Sequence, residues 1–227
     1  MLVHELTTPG EKTQALYAEV LTPSFPPDEL HSLRTLHSAL EAGTGPIWIA
    51  EDDDGRILGG AVGEWDAENR VVLLSYLAVR PGVRGGGVGG SLLRAALDAW
   101  RSRLSPCLIL AEVEDPAHFR GSEAYGDPAA RWRFYQRRGA RVLDLPYFQA
   151  ALRPDTRRVP HLMLVVLHAD PKFGGAGPDT VDPAPLRAYL EGYQRECEGA
   201  VGIDPQAMAL WQALDRPAGI PFLDSRP

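Results

Sequence analysis

Only two cysteines, Cys107 and Cys197, occur in the 227 residues, and their separation matches no common metal-ligand spacing. That scarcity argues against a disulfide-stapled scaffold and for a reducing compartment. Cys107 lies in the apolar run Cys107-Leu-Ile-Leu110, the setting of a buried, inert thiol. Positive charge is also in short supply. With 23 Lys and Arg against 30 Asp and Glu the formal net charge is -7, which argues against duplex nucleic acid as a partner. An acidic surface favours a cationic ligand such as an amine. No apolar segment approaches the ~20 residues that a membrane helix requires. The opening Met1-Leu-Val-His-Glu-Leu6 lacks the basic and long apolar stretches of a signal peptide. A cytoplasmic protein with no membrane partner is expected. No serine sits in a Gly-x-Ser-x-Gly elbow, so hydrolase chemistry of that kind has no nucleophile here.

What remains is an ordinary globular composition, 44% apolar and 23% charged, long enough for one full core plus an appendage. Leu2–Leu6 reads as a strand, Glu11–Leu21 as a helix, and Pro27–Ala42 as a second helix with Leu30, Leu33, Leu36 and Leu40 at core spacing. Strands follow at Pro46–Asp52, Arg56–Trp65 and Val71–Val79, the first two joined by Asp52-Asp53-Asp54-Gly55. This acidic run is read as a solvated hairpin tip rather than a metal site. A helix from Ser91 to Leu104, a strand over Leu108–Glu114, a helix over Ala129–Arg138 and strands at Arg141–Leu145 and His161–His168 complete a domain of residues 1–169. The pattern implies an α/β fold with a mixed, largely antiparallel sheet of about seven strands flanked by helices. Residues 170–227 change character. Lys172–Pro185 reads as a linker or an extended loop, and Pro185–Cys197 and Gln206–Leu214 as short amphipathic helices of a C-terminal extension.

Arg84-Gly-Gly-Gly-Val-Gly-Gly90 lies between a strand and a helix. There, backbone N–H groups lack intrahelical partners, the helix dipole is positive, and glycines let an oxygen approach closely. A pyrophosphate is the natural occupant. Two ligand classes compete. Gly85, Gly87 and Gly90 satisfy the dinucleotide spacing G-x-G-x-x-G, with Glu112 about twenty residues on at the end of a strand. Against this, Arg80–Arg84 separates the glycines from their strand, and the strands before them read as antiparallel hairpins.

The other reading is a resemblance. Leu77-Ala-Val-Arg-Pro-Gly-Val-Arg-Gly-Gly-Gly-Val-Gly-Gly-Ser-Leu-Leu93 resembles the acetyl-CoA signature of GNAT-type N-acetyltransferases, whose Arg/Gln-x-x-Gly-x-Gly/Ala falls on Arg84, Gly87 and Gly89. Arg133-Phe-Tyr-Gln-Arg-Arg-Gly-Ala-Arg141 resembles their second motif, a helix carrying Phe-Tyr and ending in Gly before a strand. The resemblance runs to about His168. It implies acetyl-CoA as co-substrate, lying in a splayed gap between the fourth and fifth strands. Leu77, Ala78 and Val79 would hold the pantetheine arm through their backbone, and Arg84, Gly85, Gly86, Gly87, Val88, Gly89, Gly90 and Ser91 would hold the phosphates. Tyr135 takes the place of the general acid.

The residues add candidates of their own. Glu112 and Glu114 alternate on one strand and share a face, where a carboxylate would attract an ammonium group and take its proton. Glu64 is a further candidate base. Arg131 precedes Tyr135 by one helical turn and is placed for a CoA phosphate or a surface ion pair. His118 and Tyr147 are candidates to line the acceptor pocket, whereas His161 and His168 are read as structural. The implied reaction is acetyl transfer to a primary amine of a small molecule by direct attack in a ternary complex, in a monomer or homodimer, with no metal. A non-catalytic acyl-CoA-binding module, an enzyme using a longer acyl-CoA and a dinucleotide oxidoreductase are the alternatives.

Overall fold

The computed structural model describes residues 1–83, 85–122 and 125–223. Its seven-stranded, largely antiparallel sheet is flanked by helices, the α/β class that the pattern of elements implies. The elements divide between two compact units, one of residues 1–67 and 72–105, the other of residues 68–71, 106–122 and 126–223.

In the first unit the strands run in the order β1 (Leu2–Leu6), β2 (Ile47–Glu51), β3 (Ile57–Asp66), β4 (Val71–Val79, all but its first residue). β1 and β3 both pair antiparallel with β2, Leu6 opposite Ile47 and Ile49 opposite Gly60. The hairpin tip between β2 and β3 closes locally, because Asp52 Oδ1 accepts the backbone N–H groups of Asp54 and Arg56 at 3.1 and 2.9 Å. The first helical segment is α1 (Glu11–Leu16), continued without a break by a π turn over Tyr17–Leu21. The expected helix over Pro27–Ala42 is two pieces. Pro27–Glu29 forms one 3-10 turn, Leu30 is extended, and α2 starts anew at Leu33–Ala42. The cause is Ser32, whose hydroxyl accepts the N–H of Thr35 at 3.1 Å and so caps a new N-terminus. Leu30, Leu36 and Leu40 enter the core as expected, while Leu33 is only half-buried.

α3 (Val88–Leu104) begins three residues earlier than the pattern suggested and buries Leu92, Leu93, Ala96 and Trp100. Glycines in β3 make room for the neighbours of this strand. A Cβ on Gly63 would stand 2.7 Å from the Trp100 ring, and one on Gly60 would stand 2.5 Å from Leu16.

The second unit orders its strands β5 (Leu108–Glu114), β9 (Leu162–Ala169), β6 (Arg141–Val142), all antiparallel, with α4 (Pro128–Gln136) between β5 and β6 in sequence. β6 is shorter than the expected Arg141–Leu145. Beyond Arg141 the chain is met by the returning C-terminal segment, since Leu223 N–H donates to Val142 O and Asp144 N–H to Pro221 O, both at 2.9 Å. The Pro-containing stretch after Leu145 holds a hairpin of its own, β7 (Phe148–Gln149) against β8 (Val159–Pro160). The expected linker likewise contains β10 (Thr180–Val181), which pairs with β11 (Ile220–Pro221). α5 (Pro183–Glu198) and α6 (Pro205–Leu214) each open on an Asp-Pro, Asp182 and Asp204 serving as N-caps. Leu186, Leu190, Trp211 and Leu214 are buried, so the extension is packed within this unit.

Arg158 ties the β7–β8 hairpin to that extension. Its guanidinium forks onto Glu198 at 2.6 and 2.7 Å and reaches Asp204 at 2.8 Å. Burial works against the charged form of Glu198, but the Arg158 bonds, the Ala151 N–H and the Gln194 amide outweigh it and hold the carboxyl below its usual range. A carboxyl lowered in the folded state contributes stability above its unfolded pKa and loses it as pH falls. The stability difference between wild type and Glu198→Gln, from urea titrations, is therefore expected to shrink as the pH drops through about 4.5. Gly63→Val is expected to cost about 1–3 kcal/mol in the same assay by overpacking against Trp100.

Candidate functional site

The turn between β4 and α3 is where the sequence placed a phosphate. Arg80 anchors it. Only 8% exposed, Arg80 donates from Nε to Ile57 O at 2.6 Å and pairs with Glu19, while its N–H meets Leu58 O at 2.8 Å and its carbonyl accepts from Val83 at 3.1 Å. Arg80 carries no sequence signal beyond the Arg-Pro-Gly that opens the turn. From this anchor the chain climbs through exposed Gly85, Gly86 and Gly87. Gly85 and Gly87 take φ of 97° and 79°, left-handed values that side chains rarely adopt. Arg84 lies outside the described residues.

Gly87 is the N-cap of α3 and offers no side chain to cap it, and no acidic residue stands in the first turn. The first intrahelical bond is Ser91 N–H to Gly87 O at 3.0 Å. The N–H groups of Val88, Gly89 and Gly90 therefore precede the ladder and carry the positive end of the helix dipole. Val88 is buried and fixes the helix start, while Gly89, Gly90 and Ser91 are half-buried and belong to the helix itself. No Cβ projects from Gly85–Gly87 into the space before the helix, which is the shape an anionic ligand requires. On β4, Leu77 and Val79 are half-buried and alternate with buried Tyr76 and Ala78.

A second polar group in this unit was seen only in part. Glu64 Oε1 accepts the Ser75 hydroxyl at 2.6 Å and lies 3.6 Å from His31 Nε2. His31 is clasped through its backbone, its N–H donating to the Tyr76 hydroxyl at 2.8 Å and its carbonyl accepting the Tyr17 hydroxyl at 3.1 Å. The ring of Phe25 meets Tyr76 edge-on at 5.0 Å. Glu64 was singled out from sequence. His31 was not, since a lone histidine between two helices carries no local pattern.

In the second unit, Glu112 and Glu114 are the two half-buried residues at the end of β5, side by side on one face as their spacing demands. Both are engaged. Glu114 Oε2 accepts from Arg131 of α4 at 2.5 Å, so a candidate base and a candidate phosphate ligand neutralise one another. Glu112 Oε1 accepts the hydroxyl of Tyr147 at 2.5 Å. Tyr135 is buried on α4 one turn beyond Arg131. Burial pushes its phenol up to about 12, against the pull of Arg131 and Arg138. It is a neutral hydrogen-bond donor throughout the physiological range. His118 and His161 stack at 4.2 Å beside the turn at Asp115. Cys107 is fully buried, its thiol raised chiefly by burial, with Sγ against the carbonyls of Asn69 and Arg70. Among the described residues no group of three or more His, Cys, Asp or Glu is set to hold a metal ion, and no helix is long and apolar enough to cross a membrane.

Residues 43–139 match the family model of the acetyltransferase (GNAT) domain. No curated protein matches the chain by sequence. Solved structures do. A Bacteroides thetaiotaomicron protein assigned as a GNAT-family acetyltransferase superposes with a TM-score of 0.58 at 23% identity, covering 86% of this chain and 99% of its own. A second protein so assigned, from Desulfovibrio desulfuricans, gives 0.51 at 19% identity over 73% of this chain and 96% of its own. A GNAT-family acetyltransferase from Staphylococcus aureus Mu50 gives 0.50 at 16% identity over 74% and 100%. The dinucleotide reading of the glycine turn has no such support: β2 and β3 form an antiparallel hairpin, and Gly90 lies inside α3. Residues 43–139 therefore carry the match to an acetyltransferase (GNAT) domain, and the chain shares the fold of the GNAT acetyltransferases.

Proposed function

We propose that this acetyltransferase moves the acetyl group of acetyl-CoA onto a primary amine of a small molecule, by direct attack within a ternary complex. The observation that carries the reading is the uncapped start of α3 behind a glycine turn free of side chains. The N–H groups of Val88, Gly89 and Gly90 suit the pyrophosphate of the co-substrate, and the charge of Arg84 is assigned to the same group. The backbone of Leu77, Ala78 and Val79 is assigned to its pantetheine arm, where an N–H polarises the thioester carbonyl.

Glu112 accepts the proton of the incoming ammonium, and the neutral amine attacks the thioester carbon. The carbon–sulfur bond breaks, Tyr135 gives its proton to the departing thiolate, and the second proton lost by the acylated nitrogen returns the phenolate to the phenol. A phenol held near a pKa of about 12 by burial keeps that proton until the thiolate forms. Arg131 is assigned to holding Glu114, and this pair replaces the separate roles of phosphate ligand and second base. The polar loop from Asp115 to Pro128 is assigned to acceptor choice.

A second reading of the base rests on Glu64. Its contacts with Ser75 and His31, beside the rings of Tyr17, Phe25 and Tyr76, suit an alkylammonium group as well.

Calorimetry with acetyl-CoA, CoA and NADH tests the co-substrate. Acetyl-CoA is expected to bind, and Gly87→Val to weaken it about tenfold or more, since a side chain at φ 79° is strained and fills the turn. Binding of NADH alone would overturn the reading. In a thiol-release assay over a panel of primary amines, Tyr135→Phe is expected to lower kcat about 10²–10⁴-fold with little change in acetyl-CoA affinity. Comparing Glu112→Gln with Glu64→Gln decides the base: the substitution that removes the acidic limb of the pH profile identifies it.

A further inference from the structure

The candidate base of the second unit is held by a residue outside the matched domain, and that residue is held in turn by the C-terminal extension. Tyr147 follows β6 and directly precedes β7. It is 5% exposed, and its hydroxyl ends on Glu112 Oε1. Burial, then the charge and hydrogen bond of Glu112, then Tyr189 and Cys197 of α5 push its phenol well above 10, so it remains a donor. Tyr147, Phe148, Leu190, Tyr193 and Trp211 gather around one small apolar space, which puts α5 and α6 against the tyrosine.

The hairpin that carries Tyr147 is pinned from the other side. Phe148 pairs with Pro160 in the β7–β8 ladder, and the guanidinium of Arg158 lies 4.6 Å over the Phe148 ring while it forks onto Glu198. Glu198 also accepts the N–H of Ala151 at 3.0 Å and the amide of Gln194 at 3.0 Å. Gln194 in turn accepts from Gly202 N–H, and Gly202 O accepts the Trp211 indole N–H at 3.0 Å. The chain of contacts runs unbroken from the end of α5 and the start of α6 to the carboxylate on β5.

We propose that Tyr147 is the positioning residue of Glu112 and that the C-terminal extension, through Arg158 and Glu198, keeps it in place. This rests on the reading of Glu112 as base. A hydroxyl that donates to a carboxylate stabilises its ionised form and selects its rotamer. The extension thereby sets the pH at which the carboxylate is ready to take a proton, and it ties catalytic competence to a segment beyond the acetyltransferase domain.

The test uses the full chain labelled with carboxyl-¹³C glutamate, titrated by NMR as wild type, Tyr147→Phe and Glu198→Gln, with Glu112→Gln to assign the signal. Tyr147→Phe keeps the ring and its packing. It is expected to raise the apparent pKa of Glu112 by about one unit. The acidic limb of kcat/KM, with n-butylamine as acceptor, moves by the same amount. Glu198→Gln, which loosens the clamp without touching the core, moves both in the same direction by less. A Glu112 signal that titrates identically in wild type and both folded variants overturns the proposal. Should Tyr147→Phe fail to fold, an unchanged titration in Glu198→Gln overturns the role of the extension. If Glu112→Gln leaves the whole pH profile at the wild-type level, Glu112 is not the base and the proposal falls with that assignment. If Glu112→Gln removes the acidic limb and Tyr147→Phe leaves it in place, only the positioning fails.

Discussion

A helix that starts without a capping side chain leaves backbone N–H groups that something else must satisfy, and much of the first unit follows from this one constraint at α3. An aspartate or serine at position 87 would have satisfied those groups from within, as Asp182 and Asp204 do for α5 and α6. Gly87 does not. The left-handed turns at Gly85 and Gly87 keep the space before the helix clear, and the buried Arg80 fixes where the turn begins. The helix behind it cannot shift, because Trp100 is seated against a strand whose glycine at 63 leaves no room for a Cβ. A positively polarised helix start behind three glycines suits phosphate oxygens held through the backbone.

The second unit solves a different problem. Its carboxylates at the end of β5 are half-buried, and a half-buried charge needs partners. Glu114 finds Arg131 one element later, and Glu112 finds Tyr147 on the segment leading into β7. The two pairings divide the labour. An arginine neutralises its carboxylate outright, whereas a tyrosine hydroxyl leaves the charge in place and only aims it. The C-terminal residues matter here because they complete the unit. They add the β10–β11 pair, extend the edge beyond β6 with Phe222 and Leu223, and anchor the β7–β8 hairpin through Glu198 and Asp204. The segment read as a linker or an extended loop from its Gly, Pro and Asp content contains β10, paired with β11, since local composition reports backbone freedom and not the partners a distant segment supplies.

Much of the fold was legible because its signals are local. Alternating apolar runs bounded by turn residues located β1 and β5 to the residue, and the Asp-Asp-Asp-Gly tip located the β2–β3 hairpin. Helix boundaries were less well marked. Ser32 divided a helix that leucine spacing alone made continuous, and α3 took in Val88, Gly89 and Gly90 ahead of Ser91. The two motifs that suggested the family lie on a turn and a helix whose backbone geometry their own residues dictate.

The sequence by itself determined the class of fold, the likeness to an acetyltransferase domain and the glycine turn, because helix caps, strand alternation and left-handed glycines act over a few residues. Only the tertiary structure decided which charged and polar groups meet. Arg131 joins Glu114 across 17 positions, Tyr147 reaches Glu112 across 35, and Arg158 holds Glu198 across 40. Such pairs form through the strand pairing and the return of the C-terminal chain, and no local pattern encodes them. The physical reason is that hydrogen bonds and ion pairs depend on distances of about 3 Å between side-chain atoms, and those distances are set by packing, after the local elements are already in place.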